Sequence, residues 1–242
     1  MTGKQVFTIF ESLGTAQNRK IYARHGADSS NTFGVSFANL SKLRKRIKGD
    51  HSLAAELWKT GNFDARNLAT MIADPASMTM RELDEWARDA GSYCVAEMFA
   101  RNVAAKTAFA PKLIEKWTKS KSDLTCVAGY ALLACAAMND QDAADSYFED
   151  RLTTIEAGIH QAGNWTRYAM NGALIAIGLR NSRLRGLALL AAARIGKVTV
   201  DHGETGCKTP DATAYIQKAA GRKAALGKAG SRAPKARTSS AA

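Results

Sequence analysis

Candidate helix starts recur at a nearly constant interval along the 242-residue chain. Ser36, Thr79, Ser122 and Asn164 each precede a segment with helical periodicity, and they are 43, 43 and 42 residues apart. Such side chains cap helix N-termini, and Thr79 also forms a capping-box pattern with Glu82. Repeats of about 40–47 residues are typical of HEAT and armadillo proteins, so the interval predicts a HEAT-like α-α superhelix. The alternative is an irregular helical bundle whose loops happen to be evenly spaced.

Composition supports an all-α fold. The chain holds 45 alanines and only four prolines, and these are the best and the worst helix formers. Apolar residues at helical spacing predict further helices over residues 50–60, 64–73, 92–105, 111–119, 142–160 and 181–196. Residues 197–210 lack this spacing and predict an ordered loop, which a short helix over residues 212–220 follows.

Positive charge is concentrated at the C-terminal end. Lys and Arg total 34 against 22 Asp and Glu, a net charge of +12, and no acidic residue follows Asp211. The final stretch has no apolar periodicity, so we expect a HEAT-like domain over residues 1–222 and a disordered basic tail over residues 223–242. Such an excess of cations favours a polyanionic partner, although many basic tails only aid solubility.

The sequence also suggests where the protein resides. It contains no run of about 18 uncharged apolar residues, the length that a membrane-spanning helix needs, and no apolar segment typical of a secretory signal follows its first residues. Its four cysteines are scattered without zinc-site spacing. We therefore expect a cytoplasmic protein with reduced thiols and no membrane contact.

A basic helix is the first candidate site. Five cations occur in seven residues, on a segment whose apolar residues Leu40, Leu43 and Ile47 predict a buried face. Cations grouped in this way can grip DNA phosphates, and the alternative is an ordinary solvated face. A looser basic set follows near the fourth repeat, at Arg167, Arg180, Arg183, Arg185 and Lys197. The phosphate-contact candidates on the helix are Lys42, Arg44, Lys45, Arg46 and Lys48.

Tyr93 and Glu97 form the second candidate site. They are four residues apart in an apolar helical segment, so they share one helix face. The alternative is a surface ion pair between Glu97 and Arg101, which would contribute little.

Nothing in the sequence points to a metal or a cofactor. Four potential ligands, Asp201, His202, Glu204 and Cys207, occur in the 197–210 loop, but their spacing matches no known metal site, and a tight turn that ties down the last helix is the favoured interpretation. Phosphate-binding glycine loops, nucleophile elbows and zinc-protease motifs do not occur. We therefore expect neither metal nor cofactor.

Two long segments carry a family resemblance. The stretch FGVSFANLSKLRKRIKGDHSLAAELWKTGNFDARNLATMIADP resembles the N-terminal half of the AlkD-like DNA alkylation repair proteins, which are HEAT-repeat alkylpurine DNA glycosylases. The shared elements include Gly34-Val35, the basic helix and Glu56-Leu57-Trp58. The following MTMRELDEWARDAGSYCVAEMF resembles the family's segment that carries an aromatic residue and, four residues later, a catalytic aspartate. The resemblance extends over roughly residues 5–195.

The resemblance implies an activity and its residues. It implies that a concave basic face holds duplex DNA and that the N-glycosidic bond of alkylated purines is hydrolysed there. Tyr93 and Glu97 take the positions of the family's aromatic residue and aspartate. The family's further arginine falls near Val127 and its second tryptophan near Asn171 or Gly172, and this sequence keeps neither. Candidates to replace them at the DNA are Trp165, Arg167 and Tyr168.

The expected partner is therefore alkylated duplex DNA, bound by a monomer associated with the nucleoid. Two alternatives stay open: a non-catalytic HEAT-repeat binder of damaged or distorted DNA, and a HEAT scaffold that binds proteins.

Overall fold

The computed structural model describes residues 1–230, with side chains described through residue 222, and this part of the chain is all-helical. Three short 3-10 turns, Ser29–Asn31, Pro75–Ser77 and Ala104–Lys106, interrupt a series of α-helices. The helices are α1 Gly3–Leu13, α2 Ala16–Arg24, α3 Phe37–Ile47, α4 His51–Lys59, α5 Phe63–Ile72, α6 Met80–Arg88, α7 Tyr93–Asn102, α8 Ala110–Trp117, α9 Asp123–Asn139, α10 Asp145–Gly158, α11 Asn164–Arg180, α12 Ser182–Ile195 and α13 Ala212–Gly230.

Three of the four predicted caps are confirmed. The side chains of Ser36, Thr79 and Ser122 accept hydrogen bonds from the first turns of α3, α6 and α9, and Thr79 completes the capping box with Glu82. The fourth cap was predicted one residue late, because α11 begins at Asn164 itself and its cap is Gly163. Asn164 instead exchanges two hydrogen bonds of 2.8 Å with the backbone of Asp201, which fastens the 197–210 loop to α11.

The helices form two layers, as expected for a HEAT-like superhelix. In the odd-numbered layer, α3, α5, α7, α9, α11 and α13 pack in succession, each against the next. Behind them, α4 packs on α5, α6 on α7, α8 on α9, and α10 and α12 on α11. One continuous apolar core runs between the layers from Val6 to Ile216. It includes a stacked pair of indoles, Trp58 and Trp86, whose ring centroids are 4.1 Å apart.

A buried carboxylate fixes the basic helix α3 in place. Asp64 of α5 is fully buried, and it accepts hydrogen bonds from the Thr32 hydroxyl and from the backbone N–H groups of residues 33, 34 and 35, at 2.6–3.1 Å. Gly34 has φ of +77°, and a Cβ there would lie 2.5 Å from the Thr15 carbonyl oxygen, so only glycine fits. The segment that leads into α3 is therefore bound rigidly to α5.

The C-terminal part differs in one respect from the prediction. The last helix, expected over residues 212–220, extends to Gly230, so the predicted domain boundary at residue 222 falls inside α13. The remainder of the predicted tail, residues 231–242, lies outside the described residues. Across the described helices, none is long and apolar enough to span a bilayer.

Candidate functional site

Helix α7 presents the predicted pair on its partly exposed side. Ser92 caps the helix, and Val95, Ala96, Phe99 and Ala100 enter the core. The opposite side carries Tyr93 and Glu97 as predicted from their spacing, with Arg101 one turn further. Both residues lie beside Tyr168 of α11. The Tyr93 ring is edge-on to the Tyr168 ring, and Glu97 and Tyr168 line one small cavity. The shared face predicted for Tyr93 and Glu97 is therefore present.

Tyr93 belongs to an aromatic cluster that joins three parts of the fold. Its ring stacks on Trp165 of α11 with a centroid distance of 3.7 Å and an angle of 13°. Tyr168 lies edge-on to both rings, at 6.4 Å from each, and His202 of the 197–210 loop lies edge-on to Trp165 and Tyr168. The Tyr93 hydroxyl is 3.2 Å from Nδ1 of His25. One face of Tyr93 is thus covered by protein, and burial raises the pKa of its hydroxyl well above the usual range.

Glu97 lines a small cavity between α7, α9 and α11. The cavity has a volume of about 130 Å³, and Pro210 at the end of the 197–210 loop closes one side. Burial raises the pKa of the Glu97 carboxyl, and the positive charge of Arg101 opposes this shift in part. Within the described part of the chain, Glu97 forms neither a hydrogen bond nor an ion pair, so the alternative of a Glu97–Arg101 surface pair is not what the structure shows.

Two neighbouring residues of α11 shape this cavity. Asn171 is 1% exposed, and its Nδ2 donates to the Pro210 carbonyl at 2.9 Å, while its Oδ1 has no partner among the described residues. Gly172 lies at the rim, and a Cβ there would meet nothing within 4 Å. Of the two places that the resemblance gives to a second tryptophan, Asn171 is therefore buried, and only Gly172 faces open space. Val127, the place of the family's arginine, is 1% exposed in the core and does not line the cavity.

The cations predicted on α3 are all exposed. None of the five forms an ion pair with a described residue, while Leu40 and Leu43 beneath them are buried. Their spacing divides them between two helix faces, since residues three or four apart are neighbours. One face carries Lys42, Lys45 and Arg46, and the other carries Arg44, while Lys48 caps the C-terminus of α3 with φ of +66° and lies beyond the helix.

The second basic set mostly holds the fold together. Arg167 donates to the carbonyl oxygens of Thr199 and Ala162 at 2.7 and 3.0 Å, and so anchors the 197–210 loop. Arg180 donates to three backbone carbonyls in the last turn of α9 and in the segment before α10, and Arg183 pairs with Glu149 at 2.8 Å. A DNA contact from Arg167, Trp165 or Tyr168 stays a prediction, because the structure shows these three side chains packed against protein.

The 197–210 loop is held by hydrogen bonds between its own residues. The Asp201 carboxylate accepts from the Gly203 N–H at 2.8 Å, and His202 Nε2 lies 3.0 Å from the Thr209 hydroxyl. The preferred interpretation, a tight turn that ties down the last helix, agrees with this geometry. Residues 1–230 contain no group of three or more His, Cys, Asp or Glu side chains arranged to hold a metal ion.

Sequence reasoning missed three residues of the site. His25 lies 68 residues before Tyr93, and nothing in its own neighbourhood indicates that they meet. The sequence marks Asn171 only as a place where a tryptophan is missing, and Pro210 only as the end of the 197–210 loop. The extended 197–210 loop brings Pro210 to the cavity, which no local pattern predicts.

Comparisons with known proteins agree on the relatives of this chain. The family described as "DNA alkylation repair enzyme" matches residues 8–221. An uncharacterized protein of Listeria innocua, Lin0241, is 30% identical over 92% of this chain and 99% of its own length. A counterpart in Listeria monocytogenes, Lmo0209, is 29% identical over the same shares. A solved structure is 30% identical, with a TM-score of 0.84 over 92% of this chain and 95% of that chain. It is described as a new family of proteins related to the HEAT-like repeat DNA glycosylases with affinity for branched DNA structures.

Proposed function

The chain belongs to the DNA alkylation repair enzyme family, and from that membership we propose that it binds duplex DNA along the free surface of the odd-numbered layer, with a preference for branched or distorted DNA. The structural relative is described as having affinity for branched DNA, and the two chains match over more than nine-tenths of their lengths. Excision of alkylated purines and non-catalytic binding of damaged or distorted DNA would both require such a surface.

The exposed cations of α3 are the observation that carries this proposal. They form no ion pairs with described residues, so their charge is available to a partner. The Asp64 hydrogen bonds hold the start of α3 against α5, so little ordering is needed when a partner arrives. Only α5 separates α3 from α7, which places the two helices about 16–20 Å apart at usual packing distances. One helical turn of DNA, about 34 Å, is long enough to meet both.

The site geometry favours binding over base excision. Trp165 covers one face of Tyr93, so that face cannot contact a damaged base unless the stack opens. The place of the family's arginine holds a core valine, and the places of its second tryptophan hold a buried asparagine and a glycine that faces open space. Two groups that would assist the departure of a base are therefore absent from the cavity.

A gel-shift or fluorescence anisotropy titration tests the proposal. A four-way junction and a linear duplex of the same length and base composition are compared with purified full-length protein in the same buffer. We expect tighter binding to the junction and, for both substrates, affinity that falls steeply with salt concentration. Equal affinity for the two substrates would contradict the proposed preference for branched DNA. An affinity that does not change with salt concentration would contradict a cationic DNA interface.

Excision of alkylated purines is a second candidate, because Glu97 retains an unpaired carboxyl group at the position of the family's aspartate. A purine alkylated at N3 or N7 is cationic, so its glycosidic bond is weak, and its departure leaves positive character on the deoxyribose. A carboxylate held nearby stabilises that charge and can orient water. Release of 7-methylguanine and 3-methyladenine from methylated duplex by wild type and Glu97→Gln decides this candidate. Release by the wild type alone supports it, and release by neither protein excludes it.

A further inference from the structure

Two polar side chains that line the Glu97 cavity have no hydrogen-bond partner. These are the Glu97 carboxyl and the Tyr168 hydroxyl, and neither forms a hydrogen bond with another described residue. Asn171 also lines the cavity, but its Oδ1 is fully buried and lacks a donor, which costs stability. Convergent polar groups that the fold leaves unused are typical of a site that a ligand completes.

The walls between these polar groups are apolar. Ala131, Ala134 and Ile175 form them together with the Tyr168 ring. Because the two alanine side chains are small and Gly172 has none, a planar group can approach the helix backbone closely. Acceptors and donors set among apolar and aromatic walls are the usual environment for a heteroaromatic ring.

The cavity opens on one side into a wider groove of about 530 Å³. Arg101, Ala134, Gly172, Ile175 and Pro210 line both spaces, so the passage between them is direct. Beyond the passage, Met138 and Tyr215 are each about half exposed. Arg101, at the mouth, is exposed and forms no ion pair with a described residue. A ring in the cavity can therefore stay attached to a large anionic molecule that Arg101 contacts.

From this geometry we propose that the cavity receives one unpaired nucleobase of the bound DNA, with its hydrogen-bonding edge on Glu97 and Tyr168 and its sugar-phosphate beside Arg101. The inference rests on the proposed DNA-binding function and specifies which feature of branched or distorted DNA is recognised. A branch point or a bulge supplies an unpaired base at low cost, whereas a base of a regular duplex must first be unstacked and unpaired. The preference for distorted DNA then has a structural cause.

A bulged duplex with and without its base tests the inference. The substrates are a duplex with a single extrahelical adenine and the same duplex with an abasic analogue at that position. Wild type is expected to bind the adenine substrate about tenfold more tightly than the abasic one, within the range known for a single recognised base. Gly172→Leu fills the cavity mouth from an open helix position, and it should bind both substrates with the affinity that wild type has for the abasic one.

The matched control is Gly186→Leu on α12. A Cβ at Gly186 also meets nothing within 4 Å, so the two variants make the same change to an exposed helix glycine. Gly186→Leu should keep the wild-type difference between the two substrates. Melting temperatures of both variants at or above that of the wild type confirm that they are folded, because leucine favours the helix over glycine.

The outcomes separate this inference from the proposed function. If the wild type binds branched DNA but does not distinguish adenine from the abasic analogue, the cavity proposal is overturned and DNA binding stands. If no DNA binds, both are overturned. If free adenosine or guanosine competes as well as the bulged duplex, the cavity takes nucleosides from solution and the DNA assignment is overturned. Replacing adenine with fluorescent 2-aminopurine adds a direct readout: its emission should change with the wild type and stay constant with Gly172→Leu.

Discussion

Removing two positive charges from one face of α3 should weaken DNA binding by an amount that can be calculated. Lys42 and Arg46 are four residues apart and therefore share a face, and both are exposed and free of ion pairs with described residues. Each phosphate contact contributes about −0.9 to the slope of log affinity against log salt. Lys42→Gln/Arg46→Gln should then reduce the magnitude of the slope by about 1.8, and affinity at 0.15 M salt by roughly 30-fold.

The control for this variant carries the same change of charge elsewhere. Lys59 at the end of α4 and Lys112 on α8 are exposed, lie outside the odd-numbered layer and form no ion pairs with described residues. Lys59→Gln/Lys112→Gln should leave the slope near that of the wild type, because net charge alone does not create a contact. Titration of a labelled duplex at four or more salt concentrations measures both slopes. If the α3 variant and the control show the same slope, α3 is not the phosphate-binding surface.

Three further predictions follow from the site and the fold. If base release occurs, Glu97→Gln should slow it by about 10²–10³, the scale of losing one electrostatic group. The wild-type rate should also fall as pH decreases through the raised pKa of Glu97. Single-turnover assays across pH measure both effects, and a rate that does not depend on Glu97 would place the chemistry elsewhere. Because the pKa of Glu97 is raised, its ionised form destabilises the folded protein, so Glu97→Gln should increase the melting temperature at neutral pH. This increase should disappear below about pH 4, where glutamate is protonated in both the folded and the unfolded state. Thermal melts of the two proteins at several pH values test the prediction. Asp64→Asn should lower the free energy of unfolding by about 2–4 kcal/mol in urea titrations. The reason is that the amide must turn at least one N–H donor towards the backbone N–H groups from which the carboxylate accepts hydrogen bonds. A loss below about 1 kcal/mol would show that the segment before α3 does not depend on this charge.

The parts of the fold that could be predicted are those set by neighbouring residues. Ser36, Thr79 and Ser122 cap helices through bonds that span three residues, so the sequence pattern and the structure agree. Asn164 was misplaced by one residue because its side chain binds Asp201, 37 residues away, instead of its own first turn. Local propensity cannot show such a competition between a cap and a distant loop.

The site was predictable only along single helices. A spacing of four residues correctly placed Tyr93 and Glu97 on one face of α7. The stack of Tyr93 on Trp165 joins helices that are about 70 residues apart in the sequence, and it depends on how α9 separates and aligns them. The second basic set shows the same limit: Arg167 and Arg180 look like free cations in the sequence, and the structure assigns their guanidinium groups to backbone carbonyls.

The departures from the family pattern and the cavity are one structural feature. Where the resemblance places a bulky indole, this chain has Asn171 and Gly172, and the volume that a large ring would occupy is open beside Glu97. A glutamate is one methylene longer than the family's aspartate, so its carboxyl extends further into that space. In the proposed assignment, the residues that lack aromatic contacts to a cationic lesion leave a place for an unpaired base. The proposal therefore puts recognition of unpaired DNA at the position where the resemblance implies base excision. Gly172→Leu separates the two roles, because it closes the cavity and leaves Glu97 in place.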